Sequence, residues 1–294
     1  MDQAEQLRKL VGQQIQHSGS TRVIAVTSGK GGVGKTSLSV NLAIQFSKKG
    51  KRVVIIDADF GLANVEIMLG IRPRYTMSDL IHNDMSIDEI ITEGPMGIGF
   101  ISGGSGVQDM VNLDKEQLRI LIGKLVRLDT LADIVIVDTG AGISDSVLEF
   151  VLSSPEVLIV ATPEPTSITD AYSLLKTVNR NKEFIPEEKK IQIIANRVSS
   201  KEEGREIYEK LNIVATKFLN IHLEYLGEIF QDANVSKAVI EQKPVSLAYP
   251  NSVSVKSYQE ICNRMIEEEE SQDEEKGGIA KFFLNFIRQK KKKY

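Results

Sequence analysis

The residues with the clearest chemical use form a glycine-rich octapeptide, GKGGVGKT, at positions 29–36. It lies between an apolar run at 23–26 and a helix-like segment at 38–48, the setting in which a loop can wrap around phosphate. Glycines let backbone N–H groups approach phosphate oxygens closely. Lys35 can then reach the β- and γ-phosphates of a nucleotide, while the Thr36 hydroxyl can bind Mg²⁺. The residues predicted to bind nucleotide here are Gly29, Lys30, Gly31, Gly32, Val33, Gly34, Lys35, Thr36 and Ser37.

Carboxylates follow two other apolar runs. Asp57 and Asp59 come after the run at 53–56, and Asp138 comes after the run at 134–137. Acids at the end of a buried strand can hold Mg²⁺ through water or position a water that attacks a phosphate. The alternative is that they cap the next turn, and the phosphate loop nearby favours the chemical role.

A base-binding residue is predicted at the end of another apolar run. Asn196 and Arg197 follow the run at 191–195, and an Asn amide can pair with the N6 and N7 edge of adenine. The Asn-Lys-x-Asp motif that reads guanine does not occur there. The expected ligands are therefore ATP or ADP with Mg²⁺.

Apolar runs must alternate with helices to position these residues. Runs at 23–26, 53–56, 98–101, 134–137, 157–161, 191–195 and 223–226 are separated by helix-like segments, among them 115–128, 144–152, 167–178 and 201–219. Strands that are apolar throughout are buried on both faces. We therefore predict an α/β fold, a single doubly wound and mostly parallel sheet with helices on both faces, over residues 20–268.

Composition narrows the function classes. The chain has 294 residues with 36 basic and 40 acidic side chains, so its charge alone does not favour nucleic-acid binding. Its single cysteine, Cys262, cannot form an intrachain disulfide or a two-cysteine metal site. The N-terminal sequence is polar, and no apolar stretch reaches the roughly 20 residues needed to span a bilayer. These features predict a cytoplasmic protein.

The end of the chain predicts an amphipathic helix at 279–294, after an acidic and glycine-containing linker at 269–278. An apolar stripe with helical spacing is flanked by a run of four lysines at 290–293. We expect this stripe to bind an anionic membrane surface reversibly, at the inner face of the cell membrane. The alternative is that it packs on the protein's own core, and the two states can alternate. The stripe consists of Ile279, Phe282, Phe283, Phe286 and Ile287.

The octapeptide resembles the "deviant Walker A" loop of the MinD/ParA ATPases, because Lys30 follows its first glycine. The resemblance implies an ATP-dependent homodimer in which Lys30 reaches the nucleotide of the facing copy, so that Lys30 and Lys35 are both catalytic. The run IIDADFGLANVEIMLG is similar to the switch I region of MinD, which makes Asp59 the residue that orients the hydrolytic water. The family pattern assigns the Mg²⁺ side of the site to Thr36, Asp57 and Asp138. It also implies contacts with the ribose or the base from Glu164, Phe230, Gln231 and Asp232.

The sequence near the N-terminus indicates which branch of this family the chain resembles. The N-terminal DQAEQLR, together with VTSGKGGVGKTS and VDTGAG, is similar to the FlhG family, also called YlxH or FleN. Members of that family set the number and placement of flagella. The resemblance implies that an N-terminal helix at 1–19 contacts the signal-recognition-type GTPase FlhF through Gln3 and Leu7, and that flagellar basal-body components are further partners.

Other members of the same fold remain alternatives. A MinD-type regulator of the division site shares the membrane-binding tail, and a ParA-type DNA-partitioning ATPase would show salt-sensitive DNA binding. The iron–sulfur branch is disfavoured by the single cysteine, and the bacterial tyrosine kinases by a tail that holds only Tyr294. We therefore expect an ATP hydrolase that switches between monomer and dimer, with no nucleic-acid partner.

Overall fold

Eight strands form one twisted sheet in the computed structural model, which describes residues 21–59, 64–83, 85–103, 115–271 and 278–291. Their order across the sheet is β3-β4-β2-β5-β1-β6-β7-β8, and every neighbouring pair is parallel except β3 with β4. The strands are β1 (Arg22–Thr27), β2 (Val53–Ala58), β3 (Thr92–Glu93), β4 (Gly99–Ser102), β5 (Ile134–Thr139), β6 (Glu156–Ala161), β7 (Lys190–Val198) and β8 (Glu224–Phe230).

Helices cover both faces of this sheet. In chain order they are α1 (Lys35–Lys48), α2 (Asn64–Leu69), α3 (Met77–His82), α4 (Ile87–Ile90), α5 (Lys115–Val126), α6 (Leu128–Leu131), α7 (Asp145–Ser153), α8 (Pro165–Asn179), α9 (Lys201–Leu219), α10 (Ala233–Ile240), α11 (Val245–Ala248), α12 (Val253–Ser271) and α13 (Gly278–Lys291). Helices α1, α2 and α10 to α12 contribute to an apolar core on one face. Helices α3 to α9 and α13 contribute to two clusters on the other.

The central strands show why the sheet is parallel. Every residue of β1, β2 and β5 is buried, and successive side chains enter the cores on opposite faces, as Val23 and Ile24 do. Strands buried on both faces need helices on both sides, and those helices make the parallel connections. The predicted fold class is confirmed.

Two elements differ in extent from the sequence prediction. The short antiparallel β3 was not predicted, because two residues carry no readable period. Helix α12 continues to Ser271 into the predicted acidic linker, since two of its acids are paired with bases rather than left in water. Glu268 lies 2.7 Å from the Lys190 ammonium, and Glu269 lies 3.4 Å from that of Lys51.

Helix α13 packs on the domain's own core in this structure. Four residues of the predicted stripe, Ile279, Phe282, Phe283 and Phe286, are buried in the cluster that also contains Phe150 of α7. The side chain of Ile287 lies outside the described part. At the start of the helix, the N–H of Ile279 donates to Oδ1 of Asp129 at 2.9 Å. These four stripe residues lie on one side of the helix and face protein in this state, and binding of the stripe to a membrane stays a prediction.

The predicted N-terminal helix, with Gln3 and Leu7, lies outside the described residues, as do positions 272–277 of the linker. Among the described residues, no helix combines the length and the apolar character that crossing a membrane requires.

Candidate functional site

The phosphate loop connects the end of β1 to the start of α1 at the carboxyl edge of the sheet. Gly34, the residue before α1, has a φ of 99°, a left-handed conformation that favours glycine. Gly29 is required for a different reason. A Cβ atom there would lie 2.1 Å from the carbonyl carbon and oxygen of Asp170 in α8. The loop therefore rests directly on the backbone of a neighbouring helix.

The first turn of α1 is joined to the end of β5. The Thr36 hydroxyl donates to Oδ2 of Asp138 at 2.7 Å, and the Ser39 hydroxyl donates to Oδ1 at 2.8 Å. The Lys35 ammonium donates to Oγ of Ser28 at 3.1 Å. Ser39 was missed in the sequence, although its position three residues after Thr36 places both hydroxyls on one helix face.

Asp57 and Asp138 are directly opposite each other in the register of β2 and β5. Burial, together with the nearby Asp138 carboxylate, raises the pKa of Asp57 to about 7. Burial also raises the pKa of Asp138 to about 6, opposed by the hydroxyls of Thr36 and Ser39. Burial lowers the pKa of Lys35, which Asp138 and Asp59 oppose. The two carboxylates are adjacent and buried, and little positive charge lies near them. A bound cation would stabilise their ionised forms.

These residues fit the predicted Mg²⁺. A hydroxyl and two carboxylates are oxygen donors of the kind this ion prefers, usually alongside waters and substrate phosphates. The described residues contain no group of three or more His, Cys, Asp or Glu side chains that could hold a metal.

Replacing Asp57 by asparagine should stabilise the nucleotide-free and Mg²⁺-free protein at pH 8. The folded-state pKa, about 7, lies above the ordinary value of 3.8, so the native state binds the extra proton. Stability from this group is complete below about pH 4 and is lost as the pH rises through 7. At 1.36 kcal/mol per pKa unit, the gain for the variant is about 2–4 kcal/mol at pH 8 and only about 1–2 kcal/mol at pH 5, where the unfolded chain alone is ionised.

Urea unfolding at pH 5 and pH 8 measures this change. In the parent protein, Oδ1 of Asp57 accepts from the N–H of Asp59, and Oδ2 accepts from the N–H of Val65. Asparagine keeps one carbonyl oxygen as an acceptor, as the protonated carboxyl group of Asp57 does. An equal pH dependence in the variant and the parent protein would contradict the assignment.

Asp59 lies just beyond β2, and its charge acts on Lys35 of the phosphate loop. Its Oδ2 accepts from Nδ2 of Asn64 at 3.2 Å, and its Oδ1 lies 3.5 Å from where a Cβ on Gly140 would stand. The loops after β2 and β5 therefore meet at this carboxylate. The hydrogen bond from Asn64 to one carboxylate oxygen orients the Asp59 side chain. The sequence did not indicate this role of Asn64.

Lys30 is held within its own copy of the chain. Its ammonium donates to Oε2 of Glu164 at 2.5 Å and to the Thr166 hydroxyl at 3.0 Å. The hydrogen bond lowers the pKa of Glu164. Side-chain exposure is 37% for Lys30 and 54% for Glu164, so solvent screens the pair and makes it weak. Lys30 is thus in a position that it can leave.

The predicted base-binding residues flank the other side of the loop. Nδ2 of Asn196 donates to the Val33 carbonyl at 2.6 Å, and its Oδ1 accepts from the N–H of Arg197 at 2.9 Å. Both the nitrogen and the oxygen of the Asn196 side-chain amide are therefore hydrogen-bonded to backbone groups in this structure. Pairing of this amide with adenine stays a prediction. The N–H of Gln231 donates to the Val198 carbonyl at 2.9 Å, which places the segment after Phe230 beside the end of β7.

Asp232 has structural partners of its own. It caps α10 through the N–H of Asn234 at 2.9 Å and accepts from the Ser254 hydroxyl at 2.7 Å. A carboxylate used in this way fixes the loop beside the predicted base pocket.

Comparison with known proteins identifies the family. Residues 24–245 match the CobQ/CobB/MinD/ParA nucleotide binding domain. The chain is 41% identical over 244 residues to the antiactivator FleN of Pseudomonas aeruginosa, covering 83% of this chain and 86% of FleN. It is 35% identical over 276 residues to the flagellum site-determining protein YlxH of Helicobacter pylori, covering 92% of each.

Solved structures show the same fold. A chain of the MinC:MinD cell division protein complex of Aquifex aeolicus superposes with a TM-score of 0.65 at 23% identity, covering 84% of this chain and 96% of that one. MinD of Pyrococcus horikoshii, solved with Mg-ADP, also gives 0.65, at 20% identity, covering 85% of this chain and 97% of that one. With its phosphate loop, its paired carboxylates and these relatives, the chain belongs to the MinD/ParA nucleotide-binding family, in the FlhG branch that includes FleN and YlxH.

Proposed function

We propose that this chain hydrolyses ATP and acts as a switch that controls the number or placement of flagella. One observation carries the ATPase proposal: at the ends of the neighbouring strands β1, β5 and β2, a phosphate loop adjoins three carboxylates. The relatives FleN and YlxH, by their names, support the flagellar role. In this scheme the protein is a monomer with ADP and a homodimer with ATP.

The site residues divide the chemistry among them. Asp59 accepts a hydrogen bond from the attacking water and holds its oxygen in line with the γ-phosphorus. A bond to that oxygen forms while the bond to the β–γ bridging oxygen breaks, and ADP and phosphate result. Lys35 stabilises the negative charge that develops, together with Lys30 of the facing copy once it leaves Glu164. Thr36, Asp57 and Asp138 would hold Mg²⁺, which neutralises phosphate charge when bound.

Helix α13 supports a membrane switch in which the tail has two alternative positions. Its buried phenylalanines cannot contact lipid and the core at the same time, so lipid binding requires release. Each large apolar side chain that returns to an apolar surface is stabilised by about 1.5–3 kcal/mol. One released tail binds a membrane weakly, whereas a dimer that presents two gains from effective concentration.

Liposome co-sedimentation tests this part of the proposal. With a non-hydrolysable ATP analogue, the full-length protein should pellet with anionic vesicles at least about tenfold more than with ADP. A truncation before Gly278 should not pellet in either state. Serines in place of the four lysines at 290–293 provide a second variant that keeps the apolar stripe, and it should lose the preference for anionic lipid.

Two results would count against the membrane switch. One is equal pelleting with ADP and with the ATP analogue, and the other is undiminished pelleting of the truncated protein. Salt-sensitive binding of DNA by the ATP-loaded protein would favour the ParA-type alternative instead.

The N-terminal segment is proposed to contact the GTPase FlhF through Gln3 and Leu7. Support comes from the FlhG-type sequence at 2–8 and from the FleN and YlxH relatives. GTP hydrolysis by that partner, measured with and without residues 1–19 of this chain, tests the contact. Equal stimulation by both forms would reject it.

A further inference from the structure

Helix α7 lies between the phosphate site and the docked helix α13. The loop before it is joined to the residue that precedes the phosphate loop, since the N–H of Gly142 donates to the Ser28 carbonyl at 3.0 Å. At the start of the helix, the Ser144 hydroxyl accepts from the N–H of Val147 and fixes the first turn. The loop at 140–143 therefore connects the phosphate loop directly to the start of α7.

One turn after Val147, Phe150 of α7 packs against α13. The ring of Phe150, 2% exposed, lies 4.6 Å from that of Phe286 and 6.3 Å from that of Phe282, measured between centroids. Leu125 of α5 belongs to the same apolar cluster. Among the described elements that pack against α13, two lead to the phosphate loop: β1, which ends directly before Ser28, and α7, which follows the loop hydrogen-bonded to Ser28. Because β1 is paired on both sides within the sheet, α7 is the one of the two that can move with that loop.

We propose that α7 transmits the nucleotide state to α13, with Phe150 as the residue that carries the coupling. When the loop at 140–143 rearranges around a triphosphate, α7 moves, and Phe150 no longer fits against Phe282 and Phe286. The docked and released positions of α13 then have different stabilities in the two nucleotide states, which is the requirement for coupling. This inference rests on the proposed switch and adds the route by which the switch operates.

Hydrogen–deuterium exchange of the α13 amides tests the route without lipid. In the parent protein, protection of α13 should fall at least about tenfold when the ATP analogue replaces ADP. Phe150→Ala should lower protection with ADP and reduce the nucleotide-dependent change to less than about twofold. The matched control, Leu125→Ala, should lower protection in both states and keep the parental nucleotide-dependent change.

Phe150→Leu is a second variant that keeps most of the apolar volume, so it is less prone to misfold than Phe150→Ala. Hydrogen–deuterium exchange in the central strands reports whether each variant is folded. The inference is overturned if folded Phe150 variants keep the parental nucleotide-dependent change, or if the parent protein shows none. Liposome pelleting of the same samples separates the two ideas. Loss of lipid binding alongside the expected exchange pattern would reject the membrane proposal and leave the coupling in place.

Discussion

Replacing Asp59 by alanine is expected to lower ATP turnover by about 100-fold or more while leaving ATP binding intact. The side chain is oriented by Asn64 and lies where the loops after β2 and β5 meet, and it makes no hydrogen bond to the phosphate loop among those described. Loss of the carboxylate therefore removes the group that orients the water and leaves the phosphate cradle in place. The dimer should persist with ATP and stay on the membrane.

Steady-state phosphate release and nucleotide binding measure the two effects separately. Asn64→Ala is a graded control, because it frees the Asp59 carboxylate without removing it, and we expect a smaller loss of turnover. An unchanged turnover rate in Asp59→Ala would reject Asp59 as the residue that orients the water.

Replacing Gly29 by alanine should weaken ATP binding by about 100-fold or more. The added Cβ would stand 2.1 Å from two backbone atoms of Asp170 and 2.6 Å from the backbone nitrogen of Ala171, and α8 cannot yield at its main chain without distortion. The loop must shift instead, which moves its N–H groups away from the phosphates.

Gly31→Ala is the matched control, since its Cβ would meet only the Cβ of Ala141, at 3.9 Å. Calorimetric titration with ATP should show a large loss for the first variant and a small one for the second. Equal affinities of the two variants would show that the contact with α8 does not position the loop.

The sequence predicts where the glycine loop and the strand-end acids lie in the fold, because both depend on local patterns, and their chemical roles stay predictions. A glycine loop between a strand and a helix has few other uses, and parallel strands bring their carboxyl ends to one edge. Asp57 and Asp138 therefore meet in the structure as the alternation of elements suggests. Ser39 was missed although its spacing from Thr36 marks it, and Asn64 was missed because a single amide residue after a strand has no spacing that marks it.

The resting position of the tail could not be read from the sequence. An apolar stripe at helical spacing is equally suited to lipid and to a protein core, and the choice depends on whether a complementary groove exists. Phe150, which supplies part of that groove, is distant in the chain and looks like an ordinary core residue. The extension of α12 to Ser271 could not be predicted for a similar reason. The basic partners of Glu268 and Glu269 lie far away in the sequence.

In the proposed membrane switch, the docking of α13 also determines how the protein resets. When the helix leaves, the groove beneath it is wetted, and that exposure persists for as long as the tail lies in the bilayer. Re-docking is then downhill as soon as the dimer separates, without any factor that extracts the tail. In that scheme nucleotide turnover sets the time spent at the membrane, so a slower hydrolysis rate gives a longer stay.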